Sequence, residues 1–233
     1  MAIDFSKFRA LTFDCYGTLI DWESGLVSSL QPFLKTKGRD LEADEILSLY
    51  ASIEPAAEKG KFKSYKEVLR ECMHAFSQQL AFRLHGEEEN LLSRGIQNWQ
   101  PFPDSVAALT ELQKHFKLCV VSNVDKDLVA HSLRWLQVPF DAVVTAEDVG
   151  SYKPAHGHFL EAIRRLDLPK SEILHVACSQ YHDIAPARTL GLASVRVNRR
   201  RGQEGTGATP ASTAQADLEV GSLKELVDLV LLP

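Results

Sequence analysis

The sequence has no apolar run near the roughly 20 residues that a membrane-spanning helix needs. Its longest candidates are strand-sized, such as Leu118 to Val121. It also lacks any surplus of positive charge, with 26 Lys and Arg against 31 Asp and Glu and a net charge of -5. No global field is therefore present to hold a nucleic acid or an anionic bilayer. Cysteine is sparse: Cys15, Cys72, Cys119 and Cys178 are scattered without a CxxC pair, which argues against a disulfide framework or a thiolate zinc site. His156, His158, His175 and His182 show no metal-ligand spacing, and no charged start leads into an apolar signal segment. No internal repeat is visible. These absences lead us to expect a reduced, cytoplasmic protein acting on a small molecule, with no nucleic acid or membrane partner and with a homodimer left open.

What is present is a chain of 233 residues, 45% of them hydrophobic, enough for one filled core and a small satellite domain. Ala10-Leu11-Thr12-Phe13 is an apolar run that ends at Asp14 and is followed by Tyr16-Gly17-Thr18, the pattern of a buried strand delivering its last residue into a loop. Lys117 to Val121 runs likewise into Ser122-Asn123, Ala142 to Val144 on towards Asp148 and Lys153, and Ile173 to Ala177 into Cys178, Ser179 and Asp183. Helical patterns lie between them at Ser105 to His115, Lys126 to Leu136, Pro154 to Leu166 and Asp183 to Leu190. Strands alternating with helices predict a Rossmann-like, doubly wound parallel sheet, whose ligands bind beyond the carboxyl ends of its strands.

Between Asp21 and Gln100 the alternation breaks into helical patterns, among them Leu47, Tyr50, Ala51 and Ile53 and then Tyr65 through Leu84. We expect an all-helical insertion over residues 21–100, with the α/β core in 1–20 and 101–233. Gln100-Pro101-Phe102-Pro103 reads as a stiff return hinge. Gly202 to Ala214 reads as an exposed loop, Asp217 to Val220 and Ser222 to Leu232 as a last strand and helix, and Arg199-Arg200-Arg201 as a solvated loop after a strand.

The strand ends thus present, in order, the carboxylate of Asp14, the hydroxyl and amide of Ser122 and Asn123, the ammonium of Lys153 and the carboxylate of Asp183. Each has a plainer reading, since aspartates cap turns and helices, Ser and Asn form turns, and a lysine before a proline is ordinarily surface. Together they resemble the four motifs of the haloacid dehalogenase superfamily: Phe13 to Leu19, Val121-Ser122-Asn123, Tyr152-Lys153-Pro154 and His175 to Asp183. That resemblance implies a helical cap between the first and second motifs, and an Asp14 that attacks substrate to form an ester which water then hydrolyses.

Phosphatases of the superfamily carry a second aspartate two residues after the nucleophile, a general acid for an alkoxide leaving group. Tyr16 stands there, and a halide leaves without a proton, so the sequence is most similar to the L-2-haloacid dehalogenase branch. The implied site has Asp14, Lys153, Asp183 and Thr18 as catalytic residues. Cys15 and Tyr16 (through backbone N–H groups), Ser122, Asn123, Gln180, His182 and Trp22 line the substrate. Lys153 would keep Asp14 and Asp183 ionised.

No cofactor is required on this reading. The alternatives are a Mg²⁺-dependent phosphatase, with the metal on Asp14, Tyr16 (its carbonyl) and Asp183, and a catalytically idle binding member. The dehalogenases' arginine in the early insertion has no counterpart between Glu45 and Ala51, Cys178 and Gln180 replace a serine and an asparagine of the fourth motif, and Phe159 replaces a tyrosine. A different donor has to receive the halide, and His182, made cationic by neighbouring Asp183, is the expected one.

Overall fold

The computed structural model describes residues 3–203 and 207–231. Six parallel strands form one sheet: β1 (Ala10–Asp14), β2 (Lys117–Ser122), β3 (Ala142–Thr145), β4 (Ile173–Ala177), β5 (Ala193–Val197) and β6 (Leu218–Val220), in the order β3-β2-β1-β4-β5-β6. Every residue of β1 and β4 is buried, as expected for central strands covered on both faces. The order reverses at β1, so the crevice at the topological switch point opens beside Asp14 and the loop after β4.

The insertion consists of α1 (Trp22–Thr36), α2 (Ala43–Ala57), α3 (Tyr65–Gln79) and the short α4 (Leu91–Gly95), packed on one another. Reciprocal side-chain and backbone hydrogen bonds start α3, with Ser64 accepting from the N–H of Glu67 and Glu67 from that of Ser64. The two connections to the core run side by side: Asp21 N–H donates to the Gln100 carbonyl at 2.9 Å and Phe102 N–H to the Leu19 carbonyl at 3.0 Å. The proline-rich return is thus tied to the outgoing strand end.

The core helices follow the expected alternation: α5 (Ser105–Leu112), α6 (Lys126–Leu136), α7 (Ala146–Val149), α8 (Gly157–Leu166), α9 (Ala185–Leu190) and α10 (Leu223–Val230). Several ends differ from expectation. The helix read from Pro154 begins at Gly157, and the one read through Leu84 ends at Gln79. Asp183 is not a helix start but sits inside a π-helical turn, Gln180–Ile184, whose N-cap is Ser179, with its hydroxyl accepting from the His182 N–H at 2.9 Å. Leu232, the expected end of the last helix, and 204–206 of the expected loop lie outside the described residues.

Arg199 and Arg200 correct the reading of a solvated loop. Arg199 lies over the Phe102 ring at 4.2 Å, pairs with Asp104 at 2.8 Å and donates to the Thr18 carbonyl, while Arg200 pairs with Glu23 at 2.7 Å. A run of like charges gave no hint that three acceptors from distant segments would converge on it. No helix among the described residues is long and apolar enough to cross a membrane.

Candidate active site

β1 carries Asp14 to the end of the sheet, where the chain turns through Gly17. Its φ of +91° favours glycine, and a Cβ there would meet Trp22 Nε1 at 2.9 Å. This turn brings Thr18 back to Asp14: the Thr18 hydroxyl donates to Asp14 Oδ2 at 2.7 Å and accepts from the Cys178 N–H at 2.8 Å, linking the loops after β1 and β4.

Lys153 is buried, and its ammonium spends all three protons, on Asp14 Oδ1 (2.8 Å), Asp183 Oδ1 (2.7 Å) and the Val121 carbonyl (3.1 Å). The two carboxylates hold its pKa above the usual range for lysine against the effect of burial. Asp183, paired with Lys153 and His175, is held well below the ordinary carboxylate range although buried. Asp14 moves the other way: burial pushes it up and Asp183 adds to this, outweighing Lys153 and Thr18. One ammonium shared by two buried carboxylates leaves an uncompensated charge, and Asp14 bears the shift.

His175, buried in β4, also positions the site. Its Nε2 lies 3.2 Å from Asp183 Oδ1 and its Nδ1 2.9 Å from Thr12 Oγ1. A proton on Nε2 serves the carboxylate and leaves Nδ1 to accept from the threonine. Asp183 Oδ2 is buried without a partner.

The remaining expected residues divide. Asn123 lines the cavity beside Asp14, but both ends of its amide hold the backbone of Lys153, accepting from its N–H at 2.7 Å and donating to its carbonyl at 3.2 Å. It positions Lys153 and keeps its second amide N–H for the cavity. Ser122 Oγ is fully buried without a partner, and Cys15 is fully buried in the core, so neither side chain reaches the cavity. Gln180 donates to the Ala214 carbonyl at 2.7 Å and lines an outer cavity of about 520 Å³ instead. Trp22 lines both cavities and meets Tyr50 edge-on at 5.7 Å. His182 reaches the inner cavity, but burial lowers its pKa to about 4. It is neutral at neutral pH, contrary to expectation, because losing water costs the imidazolium more than Asp183 returns.

Tyr16 lines the same cavity, its hydroxyl 2.8 Å from Ser132 Oγ, and burial pushes its phenol well above its usual range. Its hydroxyl is engaged by Ser132, and it offers no carboxylic acid at the position where phosphatases place one. Mg²⁺ asks for near-octahedral oxygen donors. Here the two carboxylates, Asp14 and Asp183, are already bridged by the Lys153 ammonium, and Ser179 stands where phosphatases place a further acid. The metal on Asp14, Tyr16 and Asp183 would therefore be one acidic ligand short.

The inner cavity, about 60 Å³, has Asp14, Lys153 and Asp183 on the sheet side and Glu54, Glu58 and Tyr65 on the insertion side. Sequence reasoning missed Glu54 and Glu58, since glutamates at helical spacing read as a solvent face. The only available signal was the i, i+4, i+8 row Tyr50, Glu54, Glu58 on the buried face of α2. Glu54 Oε1 accepts from Tyr50 at 2.9 Å and from Tyr65 at 2.5 Å.

Known proteins resemble this chain in sequence and in fold. The (S)-2-haloacid dehalogenase 1 of Pseudomonas sp. (strain CBS-3) is 25% identical over 232 residues, 96% of each chain. The ribulose-1,5-bisphosphate 5-phosphatase of Halopiger xanaduensis is 32% identical over 133 residues, 55% of this chain and 56% of that one. The crystal structure of an L-2-haloacid dehalogenase, 26% identical, superposes with a TM-score of 0.81 over 96% of this chain and 98% of that one. The model of haloacid dehalogenase-like hydrolases matches residues 11–197, a span that takes in Asp14, Lys153 and Asp183, and the chain belongs to that hydrolase family.

Proposed function

We propose that the chain hydrolyses the carbon–halogen bond of small 2-halocarboxylic acids through an ester on Asp14, with residues 21–100 acting as a cap domain over the core. The observation that carries this reading is a carboxylate–ammonium–carboxylate row, Asp14-Lys153-Asp183, facing a cavity in which Tyr16 replaces the acid that an oxygen leaving group needs. An Asp14 oxygen bonds to the carbon as the halide departs with its electron pair. Water, oriented by the free Oδ2 of Asp183, then adds to the ester carbonyl carbon. The Asp14 carboxylate and a 2-hydroxy acid are released, and one proton goes to solvent. Lys153 fixes Asp14 and offsets its charge, and no metal takes part.

The relative that is a phosphatase keeps a second reading in view, and Tyr16 and Ser179, at positions where phosphatases place acids, weigh against it. The test is a panel of 2-haloacids and phosphate monoesters assayed with and without Mg²⁺ and with Asp14→Asn as control. Halide release that persists in excess chelator and is lost in Asp14→Asn is expected. Phosphate release that requires Mg²⁺ would overturn the reading.

A further inference from the structure

The insertion side of the inner cavity presents two carboxylates and no cation. Glu54, held by the two tyrosine hydroxyls, stands behind Glu58, whose carboxyl makes no hydrogen bond or ion pair among the described residues. From the sheet side Lys153 has spent its three protons, His182 is neutral, and Asp183 lines the cavity with its Oδ2 buried and unpartnered. Among the described residues no arginine lines this space.

Four carboxyl groups therefore share one lysine around a cavity of about 60 Å³, an imbalance that burial makes costly. Burial and the neighbouring Glu54 push Glu58 up to about 9, against the pull of Lys153, so it stays protonated for want of a counter-charge. Tyr16, Trp22, Tyr65 and Trp99 line the same space. Aromatic rings beside carboxylates are the set that recognises an ammonium group.

We propose that the substrate of this site carries an ammonium group, and that Glu58, backed by Glu54, is the residue that selects it. The proposal rests on reading this cavity as the substrate pocket. A 2-halocarboxylic acid with an amino group on its third carbon meets both requirements. The halogen-bearing carbon faces Asp14 and the ammonium faces Glu58, which ionises as the ammonium arrives, its proton passing to solvent. The ammonium then supplies the positive charge that the cavity lacks. An acid with an apolar side chain brings a further negative charge and nothing to offset it.

Lactate and isoserine are the matched probes, since they differ by one ammonium group and neither has a bond to be cleaved. Calorimetric titration of the wild-type protein at pH 7.5 should show isoserine binding at least about tenfold tighter than lactate, a factor worth about 1.4 kcal/mol. Glu58→Gln should erase that preference, and Glu58→Asp should restore part of it. Equal affinities in the wild type, a preference unaltered in Glu58→Gln, or no binding of isoserine at about 50 mM, far weaker than ordinary substrate affinities, would each overturn the proposal.

Chloride release from 2-chloropropionate and from 3-amino-2-chloropropionate, measured in parallel, separates the two claims. Release from both with no isoserine preference removes the selectivity and leaves the dehalogenase reading. An isoserine preference with release from neither removes that reading and leaves the selectivity.

Discussion

Asp14 and Lys153 sit 2.8 Å apart, yet the carboxylate remains harder to ionise than an ordinary aspartate, because burial penalises its charge by more than Lys153, shared with Asp183, makes up. A nucleophile has to be ionised, so the acid limb of kcat/KM should fall at a pH above 3.8, the ordinary value for aspartate. A pH–rate profile of halide release checks this, and a limb at or below that value would contradict it. Glu58 gives a second consequence, for stability. Its folded-state pKa of about 9 lies above the ordinary 4.5, so the folded protein holds a proton that the unfolded chain releases between those values. The contribution is full below the lower value and is lost as pH rises through the upper one. Glu58→Gln should therefore gain thermal stability over wild type as pH rises from about 5 to 9, read from melting temperatures in matched buffers. A constant difference across that range would mean the carboxyl is not held protonated.

At the scale of elements, the insertion is fastened to the sheet by Asp125, in the loop after β2. Its carboxylate accepts from the first N–H groups of α3, Tyr65 at 2.9 Å and Lys66 at 3.0 Å. It acts as a helix cap supplied from a different part of the chain, and it sets the position of Tyr65 and hence of Glu54. Asp125→Ala should cost about 1 to 2 kcal/mol, the upper part of the range for a lost cap. Faster amide exchange in the first turn of α3 should accompany it, measured by hydrogen exchange. Unchanged exchange there would show that α3 is held by its packing alone.

The elements themselves were largely legible in the sequence. Buried parallel strands read as short apolar runs, and each ran into a polar residue that the structure places at the crevice. What stayed hidden depended on direction rather than identity. Ser122 and Asn123 sit at the expected strand end, yet one side chain turns into the interior and the other holds the backbone of Lys153. A glutamate on α2 looks the same in sequence whether it meets solvent or a cavity. The π-helical turn at Gln180–Ile184 left no periodic signature, so Asp183 was read as the start of a helix when Ser179 caps it.

For the whole molecule, two layers meet at one cavity: a sheet whose switch point gathers Asp14, Lys153 and Asp183, and a helical insertion whose wall is acidic. The first layer belongs to the family and bears the proposed chemistry, and the second is where this chain departs from the arginine expected of its haloacid-cleaving relatives. On the proposed mechanism Asp14 becomes covalently bound to substrate. This is tested most directly by one turnover of a confirmed haloacid, with enzyme in excess, in water enriched in heavy oxygen. If water attacks the ester carbonyl, the heavy oxygen appears in the Asp14 peptide by mass spectrometry and the first 2-hydroxy acid formed is unlabelled. A labelled product with an unlabelled Asp14 peptide would mean that water attacks the substrate directly, and would contradict the account.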